Sequence, residues 1–178
     1  MRAEPNPEPT WVVCSAGTGG TSATIGRFIR YQKLSTRLCV ADPENSVFYD
    51  AWKTGRRDLT CCRGPGVEGI GRPRVEPSFI PTVIDECIQV PNAASFGAMH
   101  FLSGRLNRKV GGSTGTNLAA AARLIRRMLE NGDNGSVVLL ICDTGERYLN
   151  TYYNSDWLAA NGYDIRPTIQ DLTVLFDG

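Results

Sequence analysis

Short apolar runs alternate along the chain with segments whose apolar residues recur every three or four positions. Such runs are typical of buried β-strands, and the helical spacing is typical of helices that cover a sheet. The predicted strands are residues 10–16, 36–42, 84–90 and 136–142. The predicted helices are residues 22–34, 44–53, 92–106 and 117–131. This alternation predicts an α/β fold in which a mostly parallel sheet is covered by helices on both faces.

Three parts of the chain complete this prediction. The unbroken apolar run SVVLLIC at 136–142 predicts a central strand that is buried on both faces. Residues 55–81 are rich in Gly, Pro and Arg, so we expect a long loop that lines a cavity. Residues 161–178 have weak periodicity and are expected to form a carboxy-terminal tail over the surface. With a linker at residues 1–10, one α/β domain is predicted at residues 11–160.

The net charge and the lengths of the apolar runs indicate which kinds of molecule this chain could bind. Nineteen Lys and Arg residues against 18 Asp and Glu leave a formal net charge of +1. No broad positive field is available for nucleic acid or for an anionic membrane, so we expect a small molecule or a protein as partner. The apolar runs are too short to cross a bilayer, and the amino terminus lacks the apolar core of a signal peptide. The sequence therefore predicts a cytoplasmic protein.

The residue types that bind metals are sparse. The six cysteines are scattered without a Cys-x-x-Cys pair, and His100 is the single histidine. A zinc site needs clustered ligands, so no metal is expected. Three of the cysteines lie in apolar strand-like runs, where a free thiol behaves as a small hydrophobic side chain.

A glycine-rich loop, GTGGT at 17–21, lies between a predicted strand and a predicted helix. Unpaired amides at a helix amino terminus bind anions, and glycines let a phosphate approach them. A P-loop is excluded because no lysine follows the glycines. A dinucleotide site would use Gly17 and Gly19 with Asp42 on the ribose, but Ser22 occupies the place of the third glycine. A tight turn without a ligand remains the third alternative for this loop taken alone.

Four motifs occur in a fixed order between Trp11 and Tyr152. They are GTGGT at 17–21, GIG at 69–71, GGSTGTN at 111–117 and CDTGERYLNT at 142–151. In this order they resemble the carboxy-terminal half of the cysteine synthase and cystathionine β-synthase family, which are pyridoxal phosphate enzymes of fold type II. The resemblance implies β-elimination or β-replacement on cysteine-type or serine-type amino acids.

The resemblance also implies roles for individual residues. The residues expected to bind the cofactor phosphate are Gly17, Thr18, Gly19, Gly20 and Thr21. Ser113 is expected to hydrogen-bond the pyridine nitrogen, and Asp143 to close the ring pocket beside Ser113 or a water. The loop expected on the substrate side consists of Gly69, Ile70 and Gly71. From the residues alone, Ser113 could instead cap a helix that begins near Asn117.

The lysine that such an enzyme needs for its Schiff base is not assigned in this chain. The family carries it far upstream of the phosphate loop, and Lys33, Lys53 and Lys109 each fit another role. No catalytic residue is therefore predicted here. The chain is expected to be about half of an enzyme: a truncated product, a chain begun at an internal methionine, or a subunit.

A chain that is half of an enzyme should expose the apolar face against which the missing half packs. We therefore expect a homodimer or association with the missing amino-terminal half, and little activity of this chain alone. The alternative is a noncatalytic fragment or subunit that binds a phosphate-bearing ligand and depends on a partner chain.

Overall fold

The computed structural model describes residues 8–178. In that range one sheet contains four strands in the order β3-β2-β1-β4, and every strand pair is parallel. The strands are β1 (Trp11–Ser15), β2 (Arg37–Pro43), β3 (Glu86–Val90) and β4 (Val137–Leu139). The helices are α1 (Gly20–Tyr31), α2 (Phe48–Thr54), α3 (Asn92–Leu106), α4 (Gly112–Asn131), α5 (Ser155–Ala160) and α6 (Arg166–Asp177). Residues 1–7 of the predicted linker lie outside the described residues.

Alternate residues of β2 face opposite layers of helices. Leu38 and Val40 are fully buried in the cluster that includes residues of α1 and α2. Cys39 and Ala41 are buried in the other cluster, which α4 dominates and which α3 and α6 complete. A sheet buried on both faces is the arrangement that parallel strands require. The predicted α/β fold, with a mostly parallel sheet between helices, is therefore confirmed.

The prediction of a central strand at 136–142 is wrong. The regular part, β4, covers only Val137–Leu139 and pairs with β1 alone, so it is an edge strand of the sheet in the described residues. Val138, Leu140 and Ile141 are each more than 40% exposed. No other part of residues 8–178 covers these apolar side chains, so this edge of the sheet is apolar and exposed.

Helix α4 begins five residues earlier than the sequence predicts. It begins at Gly112 and includes most of the GGSTGTN motif, and Gly111 is its N-cap residue. Ser113 therefore lies inside the first turn of α4. The interpretation that Ser113 caps a helix beginning near Asn117 is wrong. Its neighbours Thr114 and Thr116 are fully buried, and the Thr116 hydroxyl donates to Gly112 O at 3.1 Å within the helix.

The carboxy-terminal segment contains a regular element that its weak periodicity does not predict. Helix α6 packs against α3, and Leu172 is buried in the cluster that covers one face of the sheet. Close packing at Gly97 of α3 permits this contact, because a Cβ there would lie 2.7 Å from Thr168 Cβ. The last helix thus contributes to the core as well as to the surface.

The buried thiols behave as the sequence predicts for apolar positions. Cys14, Cys39 and Cys87 are buried within the sheet. Burial raises the pKa of Cys14 to about 12 and raises the pKa of Cys39 and Cys87 as well. These thiols stay protonated at neutral pH and serve as packing groups.

Candidate cofactor site

A cavity of about 530 Å³ lies where the carboxyl ends of β1 and β4 meet. This is the edge at which parallel α/β sheets bind ligands. The predicted site residues that line the cavity are Gly17, Thr18, Gly19, Gly20, Thr21, Gly69, Ile70, Ser113 and Asp143. The first of these residues, Gly17, and the last, Asp143, are 126 positions apart in the chain yet share one cavity. The volume is typical of a site for a small ligand.

Gly71 is the one predicted residue that does not line the cavity. Its amide donates a hydrogen bond to Ala16 O at 2.8 Å, which ties the loop to the end of β1. A Cβ on Gly71 would lie 2.6 Å from Pro43 Cγ and 2.9 Å from Ser46 Cβ. The residue has φ +70, so its position needs glycine for close packing and for the backbone conformation.

The glycine loop presents unpaired amides at the start of α1. Gly19 is the N-cap with φ +92, and no side chain caps the helix. The amide of Ala23 already donates to Gly19 O at 2.9 Å, so the amides before it have no acceptor within the helix. Since Gly20 and Thr21 line the cavity, this end of α1 is suited to an anion.

Two glycines in this loop are required by close contacts. A Cβ on Gly17 would lie 2.7 Å from the backbone oxygen of Gly69. A Cβ on Gly19 would lie 2.5 Å from Phe79 Cα, which belongs to the long segment 55–81. The glycines therefore let two parts of that segment pack directly against the loop between β1 and α1. The predicted loop at 55–81 does line the cavity, through Glu68, Gly69, Ile70 and Arg72.

Ser113, Asp143 and Tyr148 form a hydrogen-bonded group on another wall. Ser113 Oγ donates to Asp143 Oδ1 at 3.4 Å, and Tyr148 Oη donates to Asp143 Oδ2 at 2.6 Å. The Gly111 amide donates to the backbone oxygen of Asp143 at 3.0 Å. A Cβ on Gly111 would lie 1.8 Å from Asp143 Oδ1, so the first glycine of GGSTGTN makes room for this carboxylate.

The environment keeps Tyr148 protonated. Burial, followed by the hydrogen bond to Asp143 and the negative charge of that carboxylate, raises the pKa of the Tyr148 phenol. The phenol ring is stacked on Tyr152, with centroids 4.8 Å apart. Tyr148 was not among the site residues predicted from the sequence, although it lies within the CDTGERYLNT motif. Only its place five residues after Asp143 could have indicated it.

Three further charged side chains line the cavity and were not assigned to it from the sequence. They are Glu68, Arg72 and Arg147. Arg147 Nη2 lies 3.2 Å from Glu68 Oε1, and both side chains are more than half exposed. This ion pair joins the long loop to the segment after β4. No local pattern in the sequence indicates it, because 79 positions separate its members.

Several candidate groups lie away from the cavity. Asp42 is fully buried and accepts a hydrogen bond from the Tyr49 amide at 2.8 Å. It does not line the cavity, so it is not placed to bind the ribose of a dinucleotide there. His100 donates through Nε2 to Tyr152 O at 2.8 Å in a packing role. Lys53 and Lys109 lie over the rings of Tyr49 and Tyr153.

Comparison with known proteins identifies the family. The model of the family described as pyridoxal-phosphate dependent enzyme matches residues 1–143. The chain belongs to this family. The cavity fits that cofactor, because unpaired amides suited to a phosphate and a hydroxyl backed by a carboxylate line the same space.

Three curated relatives carry names that refer to cysteine or cystathionine. The chain is 54% identical to the L-cysteine desulfhydrase Cds1 of Mycobacterium tuberculosis over 92% of its own length and 45% of that relative. It is 30% identical to cysteine synthase 2 of Schizosaccharomyces pombe over 82% of this chain and 39% of the relative. It is 27% identical to mouse cystathionine beta-synthase over 85% of this chain and 26% of the relative. The chain thus spans less than half the length of these relatives.

Membrane-spanning helices and metal-binding clusters are both absent from residues 8–178. No helix there is long and apolar enough to cross a membrane. No group of three or more His, Cys, Asp or Glu side chains in the same range is placed to hold a metal ion.

Proposed function

We propose that this chain forms the pyridoxal phosphate site of an enzyme that removes or replaces the β-substituent of cysteine-type or serine-type amino acids. The 54% identity with an L-cysteine desulfhydrase over 92% of the chain carries the proposal. That identity also favours β-elimination, the release of sulfide from cysteine, over β-replacement, since the cysteine synthase match is at 30%.

The phosphate of the cofactor would be held by the loop at 17–21. Amides at the start of α1 donate to it, and the close packing of Gly17 on Gly69 fixes the loop before the ligand arrives. Bound pyridoxal phosphate withdraws electrons from the α-carbon of an amino acid, which permits the loss of a substituent from the β-carbon.

Ser113 would face the ring nitrogen of the cofactor. A serine cannot hold that nitrogen protonated as a carboxylate would, so the Ser113 hydroxyl would donate to the nitrogen in place of its long 3.4 Å contact with Asp143 Oδ1. Tyr148 holds Asp143 from the other side and keeps its own proton. The three residues would thereby orient one hydroxyl. Gly69 and Ile70 would lie on the substrate side, where the absence of a side chain at position 69 leaves room.

The Schiff-base lysine would come from outside these 178 residues. None of Lys33, Lys53 and Lys109 lines the cavity. The chain would therefore act with an amino-terminal half that supplies this lysine, because a second copy carries only the same three lysines. The apolar edge at β4, where Val138 is 47% exposed, supports such an association.

A second candidate is a noncatalytic subunit that binds the phosphate-bearing ligand without transforming it. The absence of a lysine from the described lining of the cavity favours this candidate. The two proposals agree on binding and differ in chemistry. Both predict a ligand held through its phosphate, and only the enzyme releases sulfide once a lysine is supplied.

Binding to the 178-residue chain tests the site first. Equilibrium dialysis would compare pyridoxal 5′-phosphate with pyridoxal, and borohydride reduction with intact mass analysis would detect covalent attachment. We expect at least about tenfold tighter binding of the phosphate form and no added mass. Equal affinity for both compounds would contradict the phosphate site. Stoichiometric attachment to a lysine of this chain would contradict the external lysine.

Completion of the enzyme tests the chemistry. The chain would be co-expressed with the part of the M. tuberculosis relative that it does not match, and sulfide release from L-cysteine would be measured. Sulfide release by the pair, and not by either part, is the expected result. Cofactor binding by the pair without turnover of cysteine or of an activated serine would favour the noncatalytic subunit.

A further inference from the structure

Arg72 brings a positive charge to the cavity beside the glycine loop. Its side chain lines the cavity and is one-third exposed. Its Nη2 lies 3.8 Å from the position that a Cβ on Gly17 would take. The guanidinium therefore lies directly against the first residue of the loop that the proposed function assigns to the phosphate.

The backbone of Arg72 is fixed on both sides. Its amide donates to Ser46 Oγ at 3.1 Å, and its carbonyl accepts from the Val47 amide at 3.0 Å. Its Nη1 donates to Gly71 O at 2.7 Å, which holds the guanidinium against its own backbone. A side chain held in this way loses little conformational entropy when it binds an anion.

The other charges at the cavity already have partners. Glu68 pairs with Arg147 at 3.2 Å, and Asp143 accepts from Tyr148 at 2.6 Å. Arg72 Nε is 3.9 Å from Glu76 Oε1, at the outer limit of an ion pair, and Arg74 shares that carboxylate at 3.5 Å. Among the residues that the structure describes, Arg72 Nη2 has no hydrogen-bond acceptor, and it faces the loop at Gly17.

We propose that Arg72 is the side chain that holds an oxyanion of the ligand in this cavity. The oxyanion is either the cofactor phosphate or the carboxylate of the amino-acid substrate, because a guanidinium binds both with paired hydrogen bonds. This inference rests on the proposed function and adds a residue to it. Arg72 sets the preference of the site for anionic ligands, together with the amides of α1.

Three stable conjugates separate the two anions. Phosphopyridoxyl-L-serine carries both, pyridoxyl-L-serine lacks the phosphate, and phosphopyridoxyl-ethanolamine lacks the carboxylate. Their affinities for the 178-residue chain would be measured by calorimetry for the wild type, Arg72→Gln and Arg72→Lys. We expect Arg72→Gln to weaken the binding of phosphopyridoxyl-L-serine by about tenfold. Arg72→Lys should weaken it by less, because lysine keeps the positive charge.

The matched control is Arg74→Gln. It removes the same charge two residues away, from a side chain that is 75% exposed and pairs with the same Glu76. Affinity should change less than about twofold, because an exposed charge is screened by solvent. Circular dichroism on heating would verify that each variant is folded.

The pattern across the conjugates decides the outcome. A loss that disappears with pyridoxyl-L-serine assigns Arg72 to the phosphate, and a loss that disappears with phosphopyridoxyl-ethanolamine assigns it to the carboxylate. Equal affinities of the wild type and Arg72→Gln, or an equal loss for all three conjugates, would overturn the inference. Failure of the wild-type chain to bind any conjugate would instead count against the proposed function.

Discussion

Tyr148 donates a hydrogen bond to Asp143 at 2.6 Å, across from the Ser113 hydroxyl, which approaches the same carboxylate at 3.4 Å. Burial and this hydrogen bond raise the pKa of Tyr148. Burial also raises the pKa of Tyr152 and Tyr153. Titration of tyrosine absorbance near 295 nm should therefore show a group of three phenols that stays protonated above pH ~10, where exposed tyrosines ionise. Tyr148→Phe should remove one phenol from that group and leave the other two.

The same substitution should also affect binding. Without the phenol, Asp143 loses its shortest hydrogen bond and orients Ser113 less firmly. We expect a loss of about 1 kcal/mol in the free energy of unfolding and a several-fold lower affinity for pyridoxal phosphate. Tyr31→Phe is the control, because Tyr31 is 83% exposed. Unchanged affinity in Tyr148→Phe would show that Asp143 does not act through this contact.

Gly17→Ala should displace the loop that faces the cavity. The new Cβ would lie 2.7 Å from the backbone oxygen of Gly69, and no side-chain rotation relieves a contact with backbone. We expect urea unfolding to report a loss of about 1–3 kcal/mol and dialysis to report weaker binding of pyridoxal phosphate. Gly64→Ala is the matched control, since a Cβ there meets open space. Equal behaviour of the two variants would contradict the close packing of the loop.

Asp42 should make the chain less stable as pH rises. Burial raises its pKa from 3.8 to about 6, so the folded state holds a proton that the unfolded state has released between those values. The free energy of unfolding therefore falls as pH rises from about 4 to 6. Above pH ~6 the Asp42 carboxyl is ionised in both states, so it causes no further fall. Asp42→Asn stays neutral at every pH and should be more stable than the wild type at pH 7, by about 1–3 kcal/mol.

The difference between Asp42→Asn and the wild type should vanish near pH 4. Urea unfolding at pH 4, 5, 6 and 7 measures it directly, with the exposed Asp133→Asn as the control. A constant difference across these pH values would mean that the buried carboxyl is not the group that titrates.

The order of the motifs predicted more of the site than any local pattern did. Ser113 and Asp143 are adjacent in space because α4 begins at Gly112 and β4 ends near position 140, a relationship that depends on the whole sheet. Periodicity placed the start of α4 too late, since glycine and threonine in GGSTGTN are poor helix formers. Tertiary contacts override that preference: Gly115 packs on α3, where a Cβ would lie 2.0 Å from Ser95 O.

Charge contacts were the part that the sequence did not reveal. Glu68 meets Arg147 across 79 positions, and Arg72 lies against Gly17 only because the loop folds back on the end of β1. Such pairs follow from topology and leave no periodic signal. The prediction of a central strand at 136–142 failed for a different reason, because apolar character alone does not distinguish a buried central strand from an exposed apolar edge strand.

The exposed edge at β4 should drive association of the isolated chain. Val138, Leu140 and Ile141 are 47%, 42% and 43% exposed beside a strand edge that has no partner strand within residues 8–178, which favours pairing with a second strand. Analytical ultracentrifugation should therefore detect dimers or larger species that Val138→Lys shifts toward monomer, since a charged edge resists pairing. Val174→Lys is the control, because Val174 is 68% exposed on α6 and away from the sheet edge. A monomeric wild type, or an equal effect of both lysines, would rule out the β4 edge as the associating surface.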